Sequence, residues 1–520
     1  MKTLTRLSPI LVLAAAILLP IAATADPSHY TYTVFEEKAA ITGYTGPGGD
    51  ITIPDTLDGY AVTTIRYRAF YNLTSLTSVT IPDGVTSIGD RAFEGCIDLT
   101  TVTIGNGVTS IGNSAFSRCT SLTSVTIPDS VTSIGAWVFQ GCTSLTSVMI
   151  PDSVISISNS AFIGCTSLIS ITVDPVNPSY SSLDGALFDK NQTTLIKYPG
   201  GKSGTYTIPD GVTSIGNNAF SGCTYLTNVT IPDSVTSIGL SGLYSCTSLT
   251  NITVDPANPS YSSLDGVLFN KNQTLLIQYP SSKPGAYIIP DGVTSIGFNA
   301  FSDCTFLTSV TIPDGVTSIS PYAFRNCTSL TSVTIPDGVT LIGSSAFQGC
   351  TSLTSVTIPD GVTHIGNSAF QGCTSLTSVT IPDGVTRIGH RAFESCTSLT
   401  SVYCCGTLPY SLADTFWNTP ATLYYLPQHA DRWPASYGGR PTALWLPAVT
   451  QFGMNVTSGA FDLSTFWAPG QSVTIEAATC LGASDWTPLM TTNIPSSGSL
   501  EFTDPDATDH ATRFYRVVAP

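Results

Sequence analysis

Hydrophobic and polar positions recur with a period of 23 residues over most of the chain. The copy from 374 to 396 reads TSLTSVTIPDGVTRIGHRAFESC. Its apolar or small positions are Leu376, Val379, Ile381, Val385, Ile388, Ala392, Phe393 and Cys396. The alternation in LTSVTI predicts a short strand with one buried face. PDG predicts a turn and VTRI a second extended segment. GHRAFESC predicts a short helical turn or 3₁₀ segment that inserts Phe393 into the core.

The repeat predicts a solenoid, because a unit of this size cannot bury its apolar face alone and must stack on its neighbours. Twelve units align on the second residue of the Ala-Phe dipeptide. These residues are Phe70, Phe93, Phe116, Phe139, Phe162, Phe220, Leu243, Phe301, Phe324, Phe347, Phe370 and Phe393. Longer variant units at about 166–223 and 247–304 carry inserts in which a DKNQ or NKNQ sequence predicts a β-hairpin.

The units share Leu, a Val-x-Ile strand, Pro at the strand exit, Ile-Gly, Ala-Phe and Cys. This pattern resembles the leucine-rich repeat of the BspA type, over residues 61–405. The resemblance implies a solenoid of short parallel strands and short helical turns. It also implies display at the cell surface or outside the cell, and adhesion to proteins or matrix.

The ends of the array predict further domains. Residues 26–60 read as capping strands, which would cover the first coil. Residues 406–447 abandon the period, are rich in Trp and Tyr, and resemble the terminal unit of BspA-type arrays. Residues 448–520 alternate short strands with Gly, Pro and Ser, which predicts a small all-β sandwich that resembles Ig-like end modules.

Residues 1–25 read as a secretory signal peptide. Lys2 and Arg6 precede an apolar stretch, and Ala23-Thr24-Ala25 supplies a cleavage signal before Asp26. The stretch is shorter than the roughly 20 residues that span a bilayer, and Pro20 interrupts it. We therefore expect an exported protein without a transmembrane segment in the mature chain, outside the cell, at its surface or in the periplasm.

Charge excludes two classes of partner. The chain has 19 basic and 35 acidic residues, a formal net charge of −16. An acidic protein repels phosphates, so nucleic acid and anionic membranes are poor partners. Only 10% of residues are charged, so Ser and Thr must supply most of the polar surface.

Most of the 14 Cys residues form a ladder rather than a disulfide framework. One Cys per unit at one position predicts a small buried side chain, although disulfides between coils remain the alternative. Cys404, Cys405 and Cys480 lie outside this ladder and are expected to be the exposed or oxidised ones.

No catalytic centre is predicted. The five His residues are scattered, and the sequence lacks HExxH, Gly-x-Ser-x-Gly, P-loop and CxxC patterns. Repeats place like residues in rows, whereas catalysis needs unlike residues that converge. We expect no cofactor and no resident metal.

Two rows of polar residues are the candidates for binding. Asp residues that follow Pro, from Asp83 to Asp383, would cap their turns or form a cation ladder. Hydroxyls on the outer face of the predicted sheet would form a neutral polar surface for a glycan or protein, or simply a solvated strand face. The hydroxyl candidates are Ser124, Thr126, Ser309, Thr311, Ser332, Thr334, Ser355, Thr357, Ser378 and Thr380. Three charged or titratable residues of RIGHR join them as candidates: Arg387, His390 and Arg391. The RIGHR charges would either protect the end of the array or join a contact surface.

Three functions follow from these observations. The first is an exported, non-catalytic adhesion protein with a protein or glycan ligand. The second is a structural envelope or matrix spacer without a specific ligand, and the third is an enzyme with its site in the C-terminal module. Residues that depart from the consensus should share one face in a binder. They share no single repeat position along the sequence, which favours the spacer; they are Trp137, Met149, Leu240, Leu243, Tyr244, Tyr322, Arg325, His364, Arg387, His390 and Arg391.

Overall fold

The computed structural model describes residues 26–411, 414–454, 460–478, 486–509 and 513–519. The predicted signal peptide and Cys480 lie outside these ranges. The chain divides into two compact units, unit 1 up to Lys202 and unit 2 from Ser203. Within the described residues, no helix is both long and apolar enough to cross a bilayer.

In unit 1, the Val-x-Ile segments of successive coils form a parallel sheet, called here the long-strand sheet. Its strands are Gly49–Thr52, Leu76–Ile81, Thr101–Ile104, Ser124–Thr126, Ser147–Ile150 and Ser170–Val173. Pairing is in register with the coils on either side, as Val125 pairs with Val102 and Val148. The Val side chains are buried and the neighbouring Ser and Thr face outward, because side chains of a strand alternate. The predicted strand is confirmed.

A second parallel sheet, the short-strand sheet, runs along another side of unit 1. It contains Tyr60–Ile65, Ser87–Ile88, Ser110–Ile111, Ser133–Ile134 and Ser156–Ile157. Four further elements lie before or beside its first strand: the 3₁₀ turn Pro27–His29 and strands Tyr30–Phe35, Lys38–Tyr44 and Thr56–Leu57. Lys38–Tyr44 pairs in parallel with Tyr60–Ile65. The backbone of the first coil is therefore paired on its N-terminal side.

The third side of each coil is a run of turns around Ala-Phe, called here the turn ridge. The amide of Phe93 donates to the Ala115 carbonyl of the next coil at 2.8 Å, and that of Arg91 donates to Asn113 at 2.8 Å. Arg91 has a left-handed backbone, with φ of 57°. Amides in a helix bond within the segment, whereas alternate amides here bond the next coil. The prediction of a short helical turn or 3₁₀ segment is therefore wrong; the described repeat coils contain turns instead.

The Ile-Gly step before the ridge is required by close packing of coils. A Cβ on Gly112 would lie 2.5 Å from the backbone nitrogen of Asp90 and 2.7 Å from the carbonyl carbon of Gly89. Those atoms belong to the preceding coil and cannot move independently. Glycine at this position lets the turn ridges approach to hydrogen-bonding distance.

The Phe side chains of the repeat form a continuous stack in the core of unit 1. Their ring centroids lie 4.8 to 6.0 Å apart and their planes are within 12° of parallel. The stacked residues are Phe70, Phe93, Phe116, Phe139 and Phe162. Tyr44 stacks on Phe70 at 5.4 Å and so covers the N-terminal end of the column. Full burial of one such ring contributes about 1.5–3 kcal/mol.

The insert of unit 1 is organised by one buried amide. Its strands are Tyr180–Leu183, Ala186–Asp189 and Thr194–Lys197, and the last two form the predicted antiparallel hairpin around DKNQ. The first two strands also pair antiparallel. Asn177 is fully buried and donates to the carbonyls of Pro151 and Val154 at 2.7 and 2.9 Å. Tyr180 accepts a hydrogen bond from the amide of Ile157 at 2.8 Å. The insert thus satisfies backbone groups that a regular coil would have paired.

Unit 2 repeats this architecture with interruptions. Strands of its long-strand sheets are Gly204–Thr207, Leu226–Ile231, Asn251–Val254, Gly285–Ile288, Leu307–Thr311, Ser332–Thr334, Ser378–Ile381, Ser401–Cys404, Thr422–Tyr425 and Arg440–Leu444. Its short-strand segments are Ser214–Ile215, Ser237–Ile238, Ser295–Ile296, Ser318–Ile319, Leu341–Ile342, His364–Ile365 and Arg387–Ile388. The second insert supplies Tyr261–Leu264, Val267–Asn270 and Leu275–Gln278. Here Asn258 and Tyr261 make the same contacts that Asn177 and Tyr180 make in unit 1.

The end of unit 2 changes from coils to antiparallel sheets. The short strand Ser436–Tyr437 pairs antiparallel with Arg440–Leu444, after the 3₁₀ turn Pro427–His429. Two three-stranded sheets follow, with strands Ala448–Met454, Phe461–Phe466, Ser472–Ala478, Thr487–Asn493, Ser499–Asp504 and Phe514–Val518, and the 3₁₀ turn Pro505–Asp509. Trp467 donates from its indole nitrogen to the carbonyl of Trp445 at 3.0 Å. These sheets therefore pack against the last coils.

Candidate binding surfaces

The predicted hydroxyl row lies on the outer face of the long-strand sheets. In unit 1, Ser124 and Thr126 are exposed on either side of the buried Val125. In unit 2, Ser332, Thr334 and Thr311 are exposed, whereas Ser309, Ser378 and Thr380 are half-buried. Each hydroxyl stands where a strand side chain points to solvent. The row therefore exists as a surface in each unit.

The row is interrupted in unit 2. Ser355 and Thr357 are exposed but lie in a segment that forms no strand. The amide of Thr354 bonds the Thr331 carbonyl at 3.4 Å, a long hydrogen bond. The predicted pattern at 353–358 is identical to that of other coils, so the sequence gives no warning of this break. Residues 355 and 357 are not aligned by strand pairing with the rest of the row.

Many other threonine hydroxyls serve the fold. Thr86 Oγ1 donates to the Thr63 carbonyl at 3.1 Å, and Thr109 Oγ1 donates to the Thr86 carbonyl at 3.1 Å. The same contact joins Thr100 to Thr77 at 2.9 Å. These hydroxyls tie each coil to the preceding one at the edges of the sheets. They are less available to a ligand than the hydroxyl row itself.

The charged residues of RIGHR are engaged with the next segment of the chain. Arg387 lies in the last strand of its short-strand sheet, and its guanidinium is 6.0 Å from the ring centroid of Tyr410. His390 Nε2 is 2.6 Å from Asp414 Oδ2. Arg391 Nε is 3.4 Å from Glu394 Oε2 and 3.7 Å from Asp414 Oδ2. The structure thus brings His390 and Arg391 together around Asp414, while Arg387 pairs with Tyr410 through a parallel β-bridge.

The aspartates of the PD turns are exposed and spread along the coils. Asp83 accepts a hydrogen bond at 2.7 Å from the amide of Asn106, one coil further on, so its partner is not in its own turn. Among the described residues, no group of three or more His, Cys, Asp or Glu could hold a metal ion. The structure gives the aspartate row no cation site.

The cysteine ladder consists of buried thiols. Cys350 Sγ donates to the Phe324 carbonyl of the preceding coil at 3.1 Å, and Cys96 makes the same contact with Phe70. Burial raises the pKa of Cys96 to about 12 and that of Cys350 well above its ordinary value. Thiols held in the protonated form are poor nucleophiles. Cys404, expected to be exposed or oxidised, is also a buried free thiol, because it pairs with Ile381 of the neighbouring strand and points to the core as Ile381 does. Cys405 is half-buried.

The lysines of the inserts hold the local backbone. Lys190 Nζ donates to the carbonyl of Asn177 at 2.6 Å, and Lys271 Nζ donates to that of Asn258 at 2.5 Å. Both ammonium groups donate to the turns that the buried asparagines organise, so fewer of their N–H groups remain for a ligand.

Many departures from the consensus lie on the turn ridge, a grouping that the sequence analysis did not make. In each coil they lie three or two residues before the stacked Phe, or Leu243 in its place, or one residue after it. These three places in the repeat are called here the ridge positions. In unit 1 they are Tyr67, Arg68, Tyr71 and Trp137; in unit 2 they are Leu240, Tyr244, Phe298, Tyr322, Arg325, His390 and Arg391. Alignment on the Phe column would have grouped them. These members occupy three repeat positions rather than one, but all three positions lie on the turn ridge.

The family comparison matches most of the solenoid. The model of the BspA type leucine rich repeat region (6 copies) matches residues 63–194, 202–283 and 279–400. No curated protein matches the chain.

Solved structures of bacterial leucine-rich repeat proteins are also similar. A leucine rich cell surface protein from Faecalibacterium prausnitzii is 36% identical, over 75% of this chain and 96% of that one, with a TM-score of 0.45. A leucine-rich repeat protein from Eubacterium ventriosum is 25% identical, over 65% and 90%, with a TM-score of 0.39. One from Bacteroides ovatus is 26% identical, over 76% and 98%, with a TM-score of 0.32.

Proposed function

The chain belongs to the BspA-type leucine-rich repeat family, and we therefore propose that it is an exported, non-catalytic binding protein with a protein or glycan ligand. The observation that carries the proposal is the outward row of small neutral hydroxyls, such as Ser124, Thr126, Ser332 and Thr334. Such a surface can donate and accept hydrogen bonds without the cost of desolvating a charge. The matched family consists of leucine-rich repeats and indicates no catalytic activity.

The proposed layout keeps the sequence-based boundaries. Residues 1–25 would direct export to the cell surface, the medium or the periplasm, and 26–60 would cap the first coil. Twelve units would fill 61–405, followed by a terminal unit at 406–447. Residues 448–520 would form an Ig-like module, which the two three-stranded antiparallel sheets support. That the F. prausnitzii relative is a cell surface protein supports export.

A structural spacer is the second candidate. The observation that favours it is the use of threonine hydroxyls such as Thr86 and Thr109 as ties between coils. A surface whose polar groups mostly form hydrogen bonds within the protein needs no ligand. Binder and spacer differ in whether saturable binding exists.

The test is a panel of matrix proteins and glycans probed with the mature chain, residues 26–520. Arginine would replace Thr334 in the hydroxyl row, and in a matched control it would replace Asp337, in the adjacent turn. If the sheet holds the ligand, Thr334→Arg weakens binding about tenfold or more while Asp337→Arg leaves it unchanged. If no protein or glycan of the panel binds saturably, the result favours the spacer.

A further inference from the structure

We propose that the turn ridge of unit 1 carries a site for a glycan bearing uronic acid carboxylates, built on Arg68 and the flanking rings of Tyr67 and Tyr71. This inference rests on the proposed binding function, but it assigns the ligand to the ridge and names its chemistry. Arg68 Cζ is 5.0 Å from the ring centroid of Tyr67 and 4.5 Å from that of Tyr71. Both rings are exposed, by 55% and 39%.

The fold does not require an arginine here. Arg68 has φ of 58°, in the left-handed region where a side chain costs roughly 1–2 kcal/mol and where Gly and Asn cost least. Equivalent ridge positions hold Asn218 and Asn299, also left-handed. For the packing of one coil on the next, an exposed Arg at this position therefore contributes nothing that an asparagine would not. A role at the surface accounts for the choice.

The guanidinium groups of this patch are not neutralised by the protein. Among the described residues, no carboxylate lies within ion-pair distance of Arg66, Arg68 or Arg118, which are all exposed. Arg91, in the next coil, is 3.5 Å from Glu94. These four are all the arginines of the described part of unit 1, and they occupy three successive coils.

The surrounding charge limits the length of an anionic partner. Asp90, Glu94 and Asp98 lie in the coil that follows Arg68, and exposed aspartates continue along the PD turns. A long polyanion would meet these carboxylates, and the whole chain has a net charge of −16. A short acidic segment placed over Arg66 and Arg68 avoids most of that repulsion.

A sugar fits the ridge better than a peptide does. The amides of Arg68, Phe70 and Asn72 already donate to carbonyls of the next coil, at 3.2, 2.8 and 2.8 Å. These three amides are therefore not available to an added peptide strand, which is held mainly by main-chain hydrogen bonds. The ridge offers aromatic faces, whose negative potential attracts the C–H groups of a sugar ring. It also offers a guanidinium, whose fork matches a carboxylate.

Unit 2 shows the same residue types at ridge positions in a closed arrangement. Phe298 and Tyr322 contact edge to face at 5.2 Å, and Arg325 Cζ is 5.8 Å from the Tyr322 ring. Arg325 also donates to the Tyr244 hydroxyl at 3.4 Å. Its guanidinium is engaged by the protein and half-buried, whereas that of Arg68 is exposed. The site is therefore assigned to unit 1.

The test measures binding of the mature chain to oligogalacturonate and to oligohyaluronate, with the methyl esters of both as neutral controls. We expect at least one acid to bind about tenfold or more tightly than its ester, and more weakly as salt rises. Arg68→Asn, which keeps a residue suited to the left-handed backbone, should lose that preference, while Arg68→Lys should keep part of it. Arg432→Gln, an exposed arginine of unit 2, is the matched control and should change nothing.

Several results would overturn the proposal. They are equal binding of acid and ester, unchanged binding by Arg68→Asn, or no binding of either acid. Preference for a polyglutamate peptide over both acids would replace the glycan with an acidic protein. If the matrix and glycan panel still yields a ligand that Thr334→Arg weakens, only the ridge site has failed. If the panel yields no saturable ligand at all, the proposed binding function has failed as well.

Discussion

Phe393 and Phe416 stack with ring centroids 5.4 Å apart and planes 5° from parallel. Phe416 is fully buried, although it lies in the aromatic segment whose sequence no longer resembles the repeat. The separation of the two residues is the same 23 as in the regular coils. The core column therefore runs one coil further than the surface pattern, and the terminal segment docks by continuing it.

Replacement of Phe416 by Ala should destabilise the end of the array. Loss of a buried ring costs about 3–5 kcal/mol, because the removed contacts leave a cavity beside Phe393. Trp417→Ala is the neighbouring control, since Trp417 is 60% exposed and should change stability by less than about 0.5 kcal/mol. Urea denaturation followed by circular dichroism compares the two. Equal losses would mean that Phe416 is not part of the core column.

Asn258→Ala should be costly for its size. The side chain donates to the carbonyls of Pro232 and Val235 and accepts from the amides of Ser260 and Tyr261, at 2.7 to 2.9 Å. Its loss leaves buried backbone groups unpaired, at about 1–3 kcal/mol for each group that water cannot reach.

The control for that change is Asn251→Ala. The side-chain amide of Asn251 donates one hydrogen bond, to the Thr253 hydroxyl. We expect a loss of at least 3 kcal/mol or so for Asn258 and under about 1 kcal/mol for Asn251, measured by urea unfolding. A loss at Asn258 no larger than at Asn251 would show that the insert does not depend on this amide.

Stability should fall at alkaline pH because of the cysteine ladder. Burial raises the pKa of Cys96, Cys165 and Cys396 from 9.0 to about 12. The unfolded chain therefore loses these protons first. Their contribution is fully present below about pH 9 and is lost as pH rises towards 12, with a slope of up to about 1.4 kcal/mol per pH unit per thiol.

The measurement is the free energy of unfolding at about pH 8, 8.5 and 9, where at most about a tenth of the unfolded tyrosines are ionised. The Cys96→Ala, Cys165→Ala and Cys396→Ala triple variant should show a shallower decline than the parent. Absolute stabilities differ because methyl groups replace thiols, so the slopes are compared. Identical slopes would show that the three thiols ionise alike in both states.

His390→Asn tests whether the pair with Asp414 contributes to stability. The two side chains are 44% and 33% exposed, and pairs this accessible to water contribute about 0–1 kcal/mol. Asn is the residue at the equivalent position of the preceding coil, Asn367. We expect a change below about 1 kcal/mol in thermal unfolding. A loss of several kcal/mol would mean that this pair anchors the terminal segment.

The core could be predicted from the sequence because it is set by short-range pattern. Val125 and Phe393 are buried as the alternation and the Ala-Phe position predict, since each must meet its counterpart in the next coil. The helical turn could not be excluded, because Ala-Phe is compatible with a helix. Only pairing with the next coil shows why Arg91 is left-handed.

Placement of the candidate surfaces was only partly predictable. Alternation placed Ser124 and Thr126 on the outer face. It could not show that Asp414 approaches His390, because no repeat pattern relates these two residues. The ridge cluster of Tyr67, Arg68 and Tyr71 emerges from the sequence only when the coils are aligned on the Phe column, and the turn brings both rings to Arg68.

The central claim is that each coil contacts its neighbours through shared columns, which leaves recognition to surface residues. Its most direct test is removal of one period, residues 351–373, compared with removal of residues 351–362, which breaks the register. The one-period deletion joins Cys350 to Thr374, as Cys373 is now joined. It should unfold cooperatively with a Tm within about 5 °C of the parent and bind the same ligand as tightly. Loss of folding on removal of the full period, or equal tolerance of both deletions, would contradict the claim.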